Sequence, residues 1–454
     1  MNKYFLTVLL VIIVSIGSKA QDTLSFSLKE AQVYAIQHNY QNQNALKDIE
    51  IAKKKVWETT AIGLPQVDAQ GQIQRYIDIP TQVALASAFN PAAPEGKFTT
   101  FQFGLNYSNS VGIQASQLLF DGSYIVGLQA AKTYKNLSIH SQIKTEIELK
   151  EAVSQAYYTV LATIENANVL EQSLDAAERI LKETKALYNE GLTEEQNVDQ
   201  LELNVNALKT SLGIAEGQRD FAKKILNLQL GIDINVPTIL TENLALLVEN
   251  EATPSRLLSG AIGAVKQEFN KENHIDFQLL TTNMQLTQLN LRKEKYSFLP
   301  SLSAFFSHQQ QNYSNEFDVF SGGRWFPATI VGATLRVPIL SSGSRLSKVS
   351  QAKIEVEKME NTSKEVEQTL KYQSELAASN FDTAKETYDN QKDNLALAKK
   401  IYDKTEKKYN EGIASSLELT QAQNQLLNAE GSFIKSTLDL LNAKATWDKS
   451  YGQK

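Results

Sequence analysis

The stretch Tyr188-Asn189-Glu190-Gly191 returns 221 positions later as Tyr409-Asn410-Glu411-Gly412. Each copy comes at the end of a long helical pattern, and glycine readily adopts the left-handed conformation that ends a helix. The repeated tetrapeptide therefore predicts two helix–turn–helix tips, one in each of two equivalent halves of the chain.

The helices that lead to the two tips share one hydrophobic phase. Mostly small or apolar residues recur in steps of three and four, and the two sets correspond at the same offset: Ala156, Val160, Ala167, Leu174 and Leu181 match Ala377, Phe381, Tyr388, Leu395 and Tyr402. A period of about 3.5 residues held over this length predicts a coiled-coil seam. The heptads by themselves fit a cytosolic antiparallel coiled coil equally well, and the residues that precede them argue against it.

Residues 1–20 have the pattern of a secretory signal peptide. Lys3 lies in a short charged start, an apolar run extends from Phe5 to Ile16, and Ser18-Lys19-Ala20 is a small-x-small cleavage site. The apolar run is too short to cross a bilayer. The chain has no cysteine, so we expect neither disulfide bonds nor a lipid anchor on cysteine. The formal net charge of −6 argues against nucleic acid as a partner.

Periodicity predicts one order of elements performed twice: helix, strand, loop, strand, long helix, tip and return helix. For the first repeat, residues 21–231, we predict helix 28–62, strands at about 66–79 and 100–120, long helix 123–189 and return helix 193–230. For the second repeat, residues 263–454, we predict helix 273–297, strands at about 301–309 and 326–340, long helix 344–410 and return helix 413–450. Residues 232–262 lose the heptad and are predicted to be a linker with short elements, while Asp121 or Ser123 is expected to cap the first long helix.

The clearest strand signal runs from Phe101 to Leu119, where apolar and aromatic residues alternate with polar, uncharged ones. Such a run of about twenty residues is far longer than an ordinary strand of about five or six. A strand of about ten residues crosses a bilayer, so we expect the excess to extend beyond it. One apolar and one polar face predict lipid on one side and water on the other. A soluble sandwich strand with one wet face is the alternative.

Four strands cannot close a transmembrane barrel, because the smallest has about eight. Open strand edges in lipid leave backbone groups unpaired at a cost of several kcal/mol each. We therefore expect several copies of the chain to contribute four strands each to one barrel. Small residues such as Ala377, Ala384 and Ala398 suit close packing of the long helices beside one another.

The order of elements, the duplicated halves, the junction Leu119-Phe120-Asp121-Gly122 and the Tyr-x-x-Gly tips resemble the TolC-type outer membrane efflux family over nearly the whole mature chain. The resemblance implies a mainly α fold with β: a homotrimer with a twelve-stranded transmembrane β-barrel, four strands from each subunit, continued by a long α-helical coiled-coil tunnel in the periplasm. It also implies that helix 28–62 stacks end to end with helix 193–230, and that segment 232–262 belongs to an equatorial belt.

The same resemblance implies a function in the cell outer membrane. The protein is expected to be the exit duct of a tripartite efflux or type I secretion system, in contact with outer membrane lipid, a periplasmic adaptor and an inner-membrane transporter. A periplasmic coiled-coil structural or adaptor protein with a small soluble β-domain is the alternative. We expect no enzymatic activity, no cofactor and no metal site, because nucleotide-binding, nucleophile-elbow and zinc signatures are missing and the histidines lack ligand spacing: His38, His140, His274 and His308.

Candidate site residues lie after the second tip. In the family, carboxylates six and nine residues beyond the tip glycine ring the tunnel's constriction, and those positions are Glu418 and Gln421 here. Their first-repeat equivalents, Asn197 and Gln200, are neutral. Three copies of Glu418 would raise one another's pKa and attract cations. The alternative is an ordinary first-turn acid favoured by the helix dipole.

The tips themselves supply the remaining candidates. Tyr409 matches a family position that helps to hold the tunnel mouth closed, although the basic partner seen in some members is replaced by Ala414. The resemblance also implies that the tips are docking points for the adaptor's hairpins: Tyr188, Gly191, Tyr409 and Gly412.

Overall fold

A computed structural model describes residues 24–249, 269–317 and 324–452. The predicted signal peptide and residues 250–262 of the predicted linker lie outside these ranges. None of the helices in the described ranges combines the length and the apolarity that crossing a membrane would require.

Helices and strands follow one another in the described ranges as β1 (Leu24–Phe26), α1 (Leu28–His38), α2 (Tyr40–Ala61), β2 (Gln66–Arg75), β3 (Thr81–Leu85), β4 (Phe98–Gln102), β5 (Tyr107–Phe120), α3 (Gly122–Asn189), α4 (Glu195–Leu230), β6 (Thr238–Leu240), α5 (Leu244–Leu247), α6 (Ile275–Tyr296), β7 (Ser301–Ser314), β8 (Trp325–Arg336), α7 (Ser344–Asn410) and α8 (Ser416–Ser450). The chain divides into two compact units. One draws on Met1–Ile49, Ser138–Leu280 and Ser363–Lys454, and the other on Glu50–Leu137 and Thr281–Thr362. Each unit takes segments from both repeats, so the compact units do not coincide with the repeats.

The second unit contains a four-stranded antiparallel sheet in the order β2-β5-β7-β8. Each repeat supplies one adjacent pair of strands, and the β5–β7 pairing joins the two repeats. Strand β7 extends to Ser314, well past the predicted end at residue 309, because its polar second half is paired on both sides by β5 and β8. Strand β8 ends at Arg336 rather than 340, just before Pro338, which has no N–H to offer a ladder.

The predicted strand 100–120 is two strands in two sheets. Gly104, with φ +137°, separates β4 from β5 in a conformation that residues with a Cβ rarely adopt. Strand β4 pairs with β3 in a separate two-stranded sheet, so β3 lies inside the segment predicted to be a loop. The sequence pattern predicts a single strand because the alternation of apolar and polar residues keeps the same phase on both sides of Gly104.

The predicted helix 28–62 is likewise divided, at Asn39. This residue has an extended backbone, with φ −63° and ψ 133°, and its Oδ1 accepts hydrogen bonds from the N–H groups of Gln41 and Asn42 at 2.8 and 3.4 Å. One asparagine thus ends α1 and caps α2, which is a favoured role for this residue type.

The end of α4 meets this break. Asn39 Nδ2 donates to the carbonyl of Gln229 at 2.8 Å, and a Cβ placed on Gly231 would lie 2.4 Å from the carbonyl oxygen of His38. The end of α4 thus contacts the break between α1 and α2, and α1 packs in the core with α4. End-to-end stacking with the return helix, expected of the whole helix 28–62, stays a prediction for α2. Gly452 follows Gly231 by the repeat offset, and a Cβ placed on it would lie 3.1 Å from the Asn273 carbonyl oxygen.

The core of the first unit surrounds Tyr157, which is fully buried. Its hydroxyl donates to the Phe26 carbonyl at 3.0 Å and lies 3.2 Å from Glu242 Oε2. The same Glu242 oxygen accepts the Leu28 N–H at 2.7 Å. Strands β1 and β6 pair in parallel beside Tyr157, so part of the predicted linker is ordered secondary structure.

Of the two residues expected to cap the first long helix, Asp121 is the cap of α3, because its carboxylate accepts the Tyr124 N–H at 2.9 Å.

Candidate functional site at the helix tips

The two tips have the same backbone. Gly191 and Gly412 both have φ +74°, and each donates its N–H to the carbonyl of the tip tyrosine at 2.9 Å. The next residue donates back into the helix, from Leu192 in the first tip and Ile413 in the second. This left-handed helix ending favours glycine because a Cβ would be strained there.

Tyr409 connects the second tip to the long helix of the first repeat. Its hydroxyl lies 2.7 Å from Thr184 Oγ1, which itself donates to the Ile180 carbonyl at 2.8 Å. The single hydroxyl hydrogen of Thr184 is therefore engaged, so Tyr409 is the donor. Tyr409 is partly buried against the buried Thr184, whereas Tyr188, the first-repeat counterpart of Tyr409, is 40% exposed. Equivalent tyrosines thus have different environments.

Ser416 forms a second link between the repeats, and this one was not foreseen. The buried Ser416 hydroxyl lies 2.6 Å from Asn197 Oδ1 and 3.1 Å from Gln200 Oε1. Asn197 and Gln200 are the first-repeat equivalents of Glu418 and Gln421, and they lie between the two return helices. The neutral side chains are therefore hydrogen-bond acceptors for a serine, and a charge there would be partly desolvated.

A third link lies about two turns further along the return helices. Gln423, which is 4% exposed, accepts from Asn204 Nδ2 at 2.9 Å and donates to the Ser173 carbonyl at 3.0 Å. These contacts join the hairpin α3–α4 to the hairpin α7–α8 without a formal charge. We call the set the hairpin clasp, and its side chains are Thr184, Asn197, Gln200, Asn204, Tyr409, Ser416 and Gln423.

Glu418 forms a capping box at the start of α8. Its carboxylate accepts from the N–H and the hydroxyl of Ser415 at 2.8 and 3.1 Å, and Ser415 Oγ accepts the Glu418 N–H at 3.2 Å. The hydrogen bond from the Ser415 N–H, followed by that from its hydroxyl, lowers the pKa of Glu418 within one chain. The S-x-x-E spacing is a recognisable signal for this arrangement. Glu418 and Gln421 are both exposed, and a rise in pKa from neighbouring copies stays a prediction.

Ion pairs flank the clasp. Lys185 pairs with Glu202 at 2.8 Å, and Lys209 with Glu178 at 2.7 Å, each joining α3 to α4. Among the described residues, no group of three or more histidine, aspartate or glutamate side chains is placed to hold a metal ion. The site therefore consists of hydrogen-bonded helix tips and one oriented carboxylate.

Two long-helix hairpins, linked near their tips, and an antiparallel sheet shared by two repeats are features of a channel-forming envelope protein. The chain belongs to the outer membrane efflux protein family, whose profile matches residues 34–231 and 271–453. Family membership confirms the predicted resemblance, the predicted fold class and the interpretation of the protein as an outer membrane efflux channel, in preference to a periplasmic adaptor protein. The family is one of transport proteins.

Curated relatives and solved structures agree with this assignment. The chain is 25% identical over 402 residues to a probable efflux pump outer membrane protein, TtgC of Pseudomonas putida, with 86% of this chain and 79% of the relative covered. It is 21% identical over 243 residues to the outer membrane protein TolC of Vibrio cholerae, covering 54% of this chain and 53% of the relative.

Two solved structures share the fold. CusC superposes with a TM-score of 0.72 at 16% identity, covering 97% of this chain and 96% of that one. The CmeC outer membrane channel of Campylobacter jejuni gives 0.70 at 18% identity, covering 94% and 85%.

Proposed function

We propose that this protein is the exit duct of a tripartite efflux or type I secretion system, and that three copies form one β-barrel continued by a helical tunnel in the periplasm. The observation that carries this proposal is the two-sidedness of the four-stranded sheet. The register places one set of apolar side chains on a single face: Val67, Ala69, Ile73, Val111, Ile113, Ala115, Leu302, Ala304, Phe306, Val331, Ala333 and Leu335.

That apolar face suits outer membrane lipid. Val67, Val111 and Val331 are each more than half exposed, and an exposed apolar patch of this kind is unfavourable in water. Polar residues of the same face lie in the half of the sheet that ends at Tyr107: Asn109, His308, Gln310 and Asn312. At one end of the face the Arg75 guanidinium lies 5.8 Å from the centre of the Tyr107 ring. Aromatic and basic residues of this kind are enriched where a barrel wall meets the lipid headgroups.

The sheet needs partners at both edges. Strands β2 and β8 are the outer members of the order β2-β5-β7-β8, and unpaired edges are not tolerated in lipid. Pairing β8 of one copy with β2 of the next is a head-to-tail contact, which closes into a ring when the rotation allows. Three copies would supply twelve strands, within the known range of membrane barrels.

The helices of the first unit provide a matching pair of surfaces. On α4, one stripe of residues more than half exposed lies opposite the buried face: Leu203, Ile214, Phe221 and Leu228. On α7, a second exposed stripe lies opposite its own buried residues: Tyr372, Leu376, Leu397 and Ile401. Gly213 and Gly217 lie beside the first stripe with open space around them, which would let a neighbouring helix approach closely. We infer that the α4 stripe packs on the α7 stripe of the next copy.

We propose that the tips form the periplasmic mouth. The hairpin clasp holds the two hairpins of each copy together at rest, and Glu418 supplies the negative ring of the constriction, with Gln421 beside it. The exposed parts of the tips, at Tyr188, Gly191 and Gly412, are then available to a periplasmic adaptor that connects the channel to an inner-membrane transporter. The clasp itself is neutral, so its opening would break hydrogen bonds, and a charged contact beside it would also separate, the ion pair of Arg179 on α3 with Glu406 on α7, at 3.7 Å.

The full-length protein, purified from outer membranes in detergent, tests this proposal. We expect a mass equal to three chains and discrete ion conductance in planar bilayers. A stable water-soluble monomer, or a trimer that does not conduct, would contradict it.

A further inference from the structure

The second face of the four-stranded sheet has a composition of its own. In β2, β5 and β7 the register places amide and hydroxyl side chains together on it, opposite the apolar face: Gln66, Gln70, Gln72, Gln74, Ser108, Ser110, Gln114, Ser116, Ser301, Ser303, Ser307, Gln309 and Gln311. Strand β8 adds the apolar Phe326, Ala328 and Ile330 to the same face. We call this surface the glutamine–serine face. Every residue of β2 is exposed, so its glutamines can meet a solute, although Gln66 Nε2 already donates to the carbonyls of Ala61 and Leu64.

This face is almost free of charge. In the four strands, Asp68 and Arg336 are the charged residues that the register assigns to it. Asp68 lies in the same row as Gln114, whereas Arg336 lies opposite Ser301, at the end of β8. A single acid and a single base in different rows give little net field along the face, so the surface neither attracts nor repels ions strongly.

Two glycines shape the face. A Cβ on Gly112 would lie 2.7 Å from Gln309 Cβ, and a Cβ on Gly332 would lie 2.8 Å from Phe305 Cζ. The Phe305 ring therefore lies across Gly332, and the Gln309 side chain occupies the space that Gly112 leaves. The result is an aromatic ring beside Ser116, Ser303 and Ser307, with Gln309 further along the same strand.

The spacing of the amides suits a repeating ligand rich in hydroxyl groups. Alternate residues of a strand are about 6.8 Å apart, and neighbouring strands are about 4.8 Å apart. A carboxamide both donates and accepts hydrogen bonds, so such a grid can exchange partners with successive hydroxyl groups. The Tyr313 hydroxyl, which donates to Gln311 Oε1 at 2.8 Å, adds a further polar group at one end.

We propose that the glutamine–serine face is a low-affinity transit site for neutral, hydroxyl-rich solutes of the carbohydrate class. This inference rests on the proposed function, which places the face on the water-filled side of the barrel wall. The amides replace the hydration of the passing hydroxyl groups, and the Phe305 ring offers an apolar surface to the faces of sugar rings. Charge selection is left to the mouth, where Glu418 lies.

Single-channel recording from the purified trimer tests this site, with maltohexaose as the neutral probe. We expect the sugar to interrupt the current in a concentration-dependent way. Gln309→Leu should shorten or weaken the interruptions about fivefold, which corresponds to the net value of a hydrogen bond, about 1 kcal/mol. The matched control is Gln310→Leu, which changes the neighbouring residue on the apolar face and should leave the interruptions unchanged.

The outcomes separate this inference from the function on which it rests. A channel that conducts but is not interrupted by the sugar, or in which the two variants behave alike, would overturn the transit site and leave the exit duct standing. A protein without conductance would overturn both. Interruptions by spermine, a polycation, should depend on Glu418 and not on Gln309, and the opposite dependence would also contradict the assignment.

Discussion

At the scale of single residues, the clearest contrast is between the two tip tyrosines. Tyr409 donates to the buried Thr184 hydroxyl at 2.7 Å, while Tyr188 remains 40% exposed. The tyrosine of the repeated motif thus forms a hydrogen bond to the other hairpin in the second repeat and is exposed in the first. The difference arises because Tyr409 packs against the long helix of the other repeat. The local sequence around each tyrosine does not show which helix it will contact.

Replacing Tyr409 with phenylalanine should loosen the hairpin clasp. The variant loses one hydrogen bond, worth about 1 kcal/mol net, while Thr184 keeps its bond to Ile180. We expect more frequent openings and a larger mean conductance in planar bilayers. Tyr188→Phe is the matched control and should behave as wild type. Equal effects of the two substitutions would argue against the clasp.

Substituting Glu418 with glutamine separates charge from helix capping. Glutamine can keep the hydrogen bonds of a capping box, so α8 should begin at the same residue. Loss of the carboxylate ring should lower cation selectivity and weaken block by multivalent cations, as measured by reversal potentials and block in salt gradients. Unchanged selectivity and block would remove Glu418 from the constriction.

His274 should make the stability of the first unit depend on pH. The residue is 6% exposed, and burial lowers the pKa of its imidazole below 6.5, although Asp276 partly opposes this and Lys144 and Lys449 add to it. A lowered histidine pKa means that the unfolded chain takes up the proton first, so stability is complete above about 6.5 and falls as pH drops through that value.

Thermal unfolding between pH 7.5 and 5.5 measures this effect. His274→Gln should flatten the dependence, since it removes the titrating group. His38, which stacks on Tyr34 with ring centres 4.0 Å apart, is exposed, and His38→Gln serves as the control. A pH dependence that persists in His274→Gln would assign it to other groups.

At the scale of elements, the joint between α2 and α4 depends on a glycine. Gly231 has φ +76°, and a Cβ there would lie 2.4 Å from the His38 carbonyl oxygen. Gly231→Ala should therefore destabilise the protein by about 1–3 kcal/mol, the usual cost of strained backbone, measured by denaturant unfolding. Gly431→Ala, in the open interior of α8, should be neutral or slightly stabilising. An unchanged free energy of unfolding in Gly231→Ala would contradict the close contact between the end of α4 and the break at Asn39.

The sequence predicted the long helices well, because their heptads are sustained and glycine marks each tip. The breaks at Asn39 and Gly104 were missed for a shared reason. In both places the hydrophobic phase continues through the break, so periodicity carries no sign of it. Asn39 is defined by its hydrogen bonds to Gln41 and Gln229, and the latter is a partner 190 residues away. Such long-range contacts cannot be read from local pattern.

The hairpin clasp was hidden for the same physical reason. Ser416 and Asn197 are ordinary polar residues near helix starts, where they usually meet water or a backbone N–H. Their significance comes from the packing of one return helix against the other. Glu418 and Asn197 are equivalent, because each lies six residues after a tip glycine. In the structure, however, Glu418 is exposed to solvent, whereas Asn197 lies between the two return helices and contacts Ser416.

At the scale of the whole molecule, assembly should depend on the apolar stripe of α4. Leu203→Glu places a charge in the proposed contact with the next copy and should dissociate the trimer in detergent, as measured by light scattering. Asn424, its exposed second-repeat equivalent, provides the matched control, because Asn424→Glu adds the same charge outside the stripe. Retention of the trimer in Leu203→Glu would exclude this interface.

The β5–β7 pairing has one more consequence, for how readily such a ring can form. It is the same antiparallel kind of joint that the free edges of β2 and β8 require, but here both strands belong to one polypeptide. Covalent linkage replaces a bimolecular encounter with an intramolecular one at high effective concentration. Tandem duplication thus lets half of the seams between repeats form during the folding of single chains, and only the other half, between β8 of one copy and β2 of the next, depends on how abundant the protein is in its membrane.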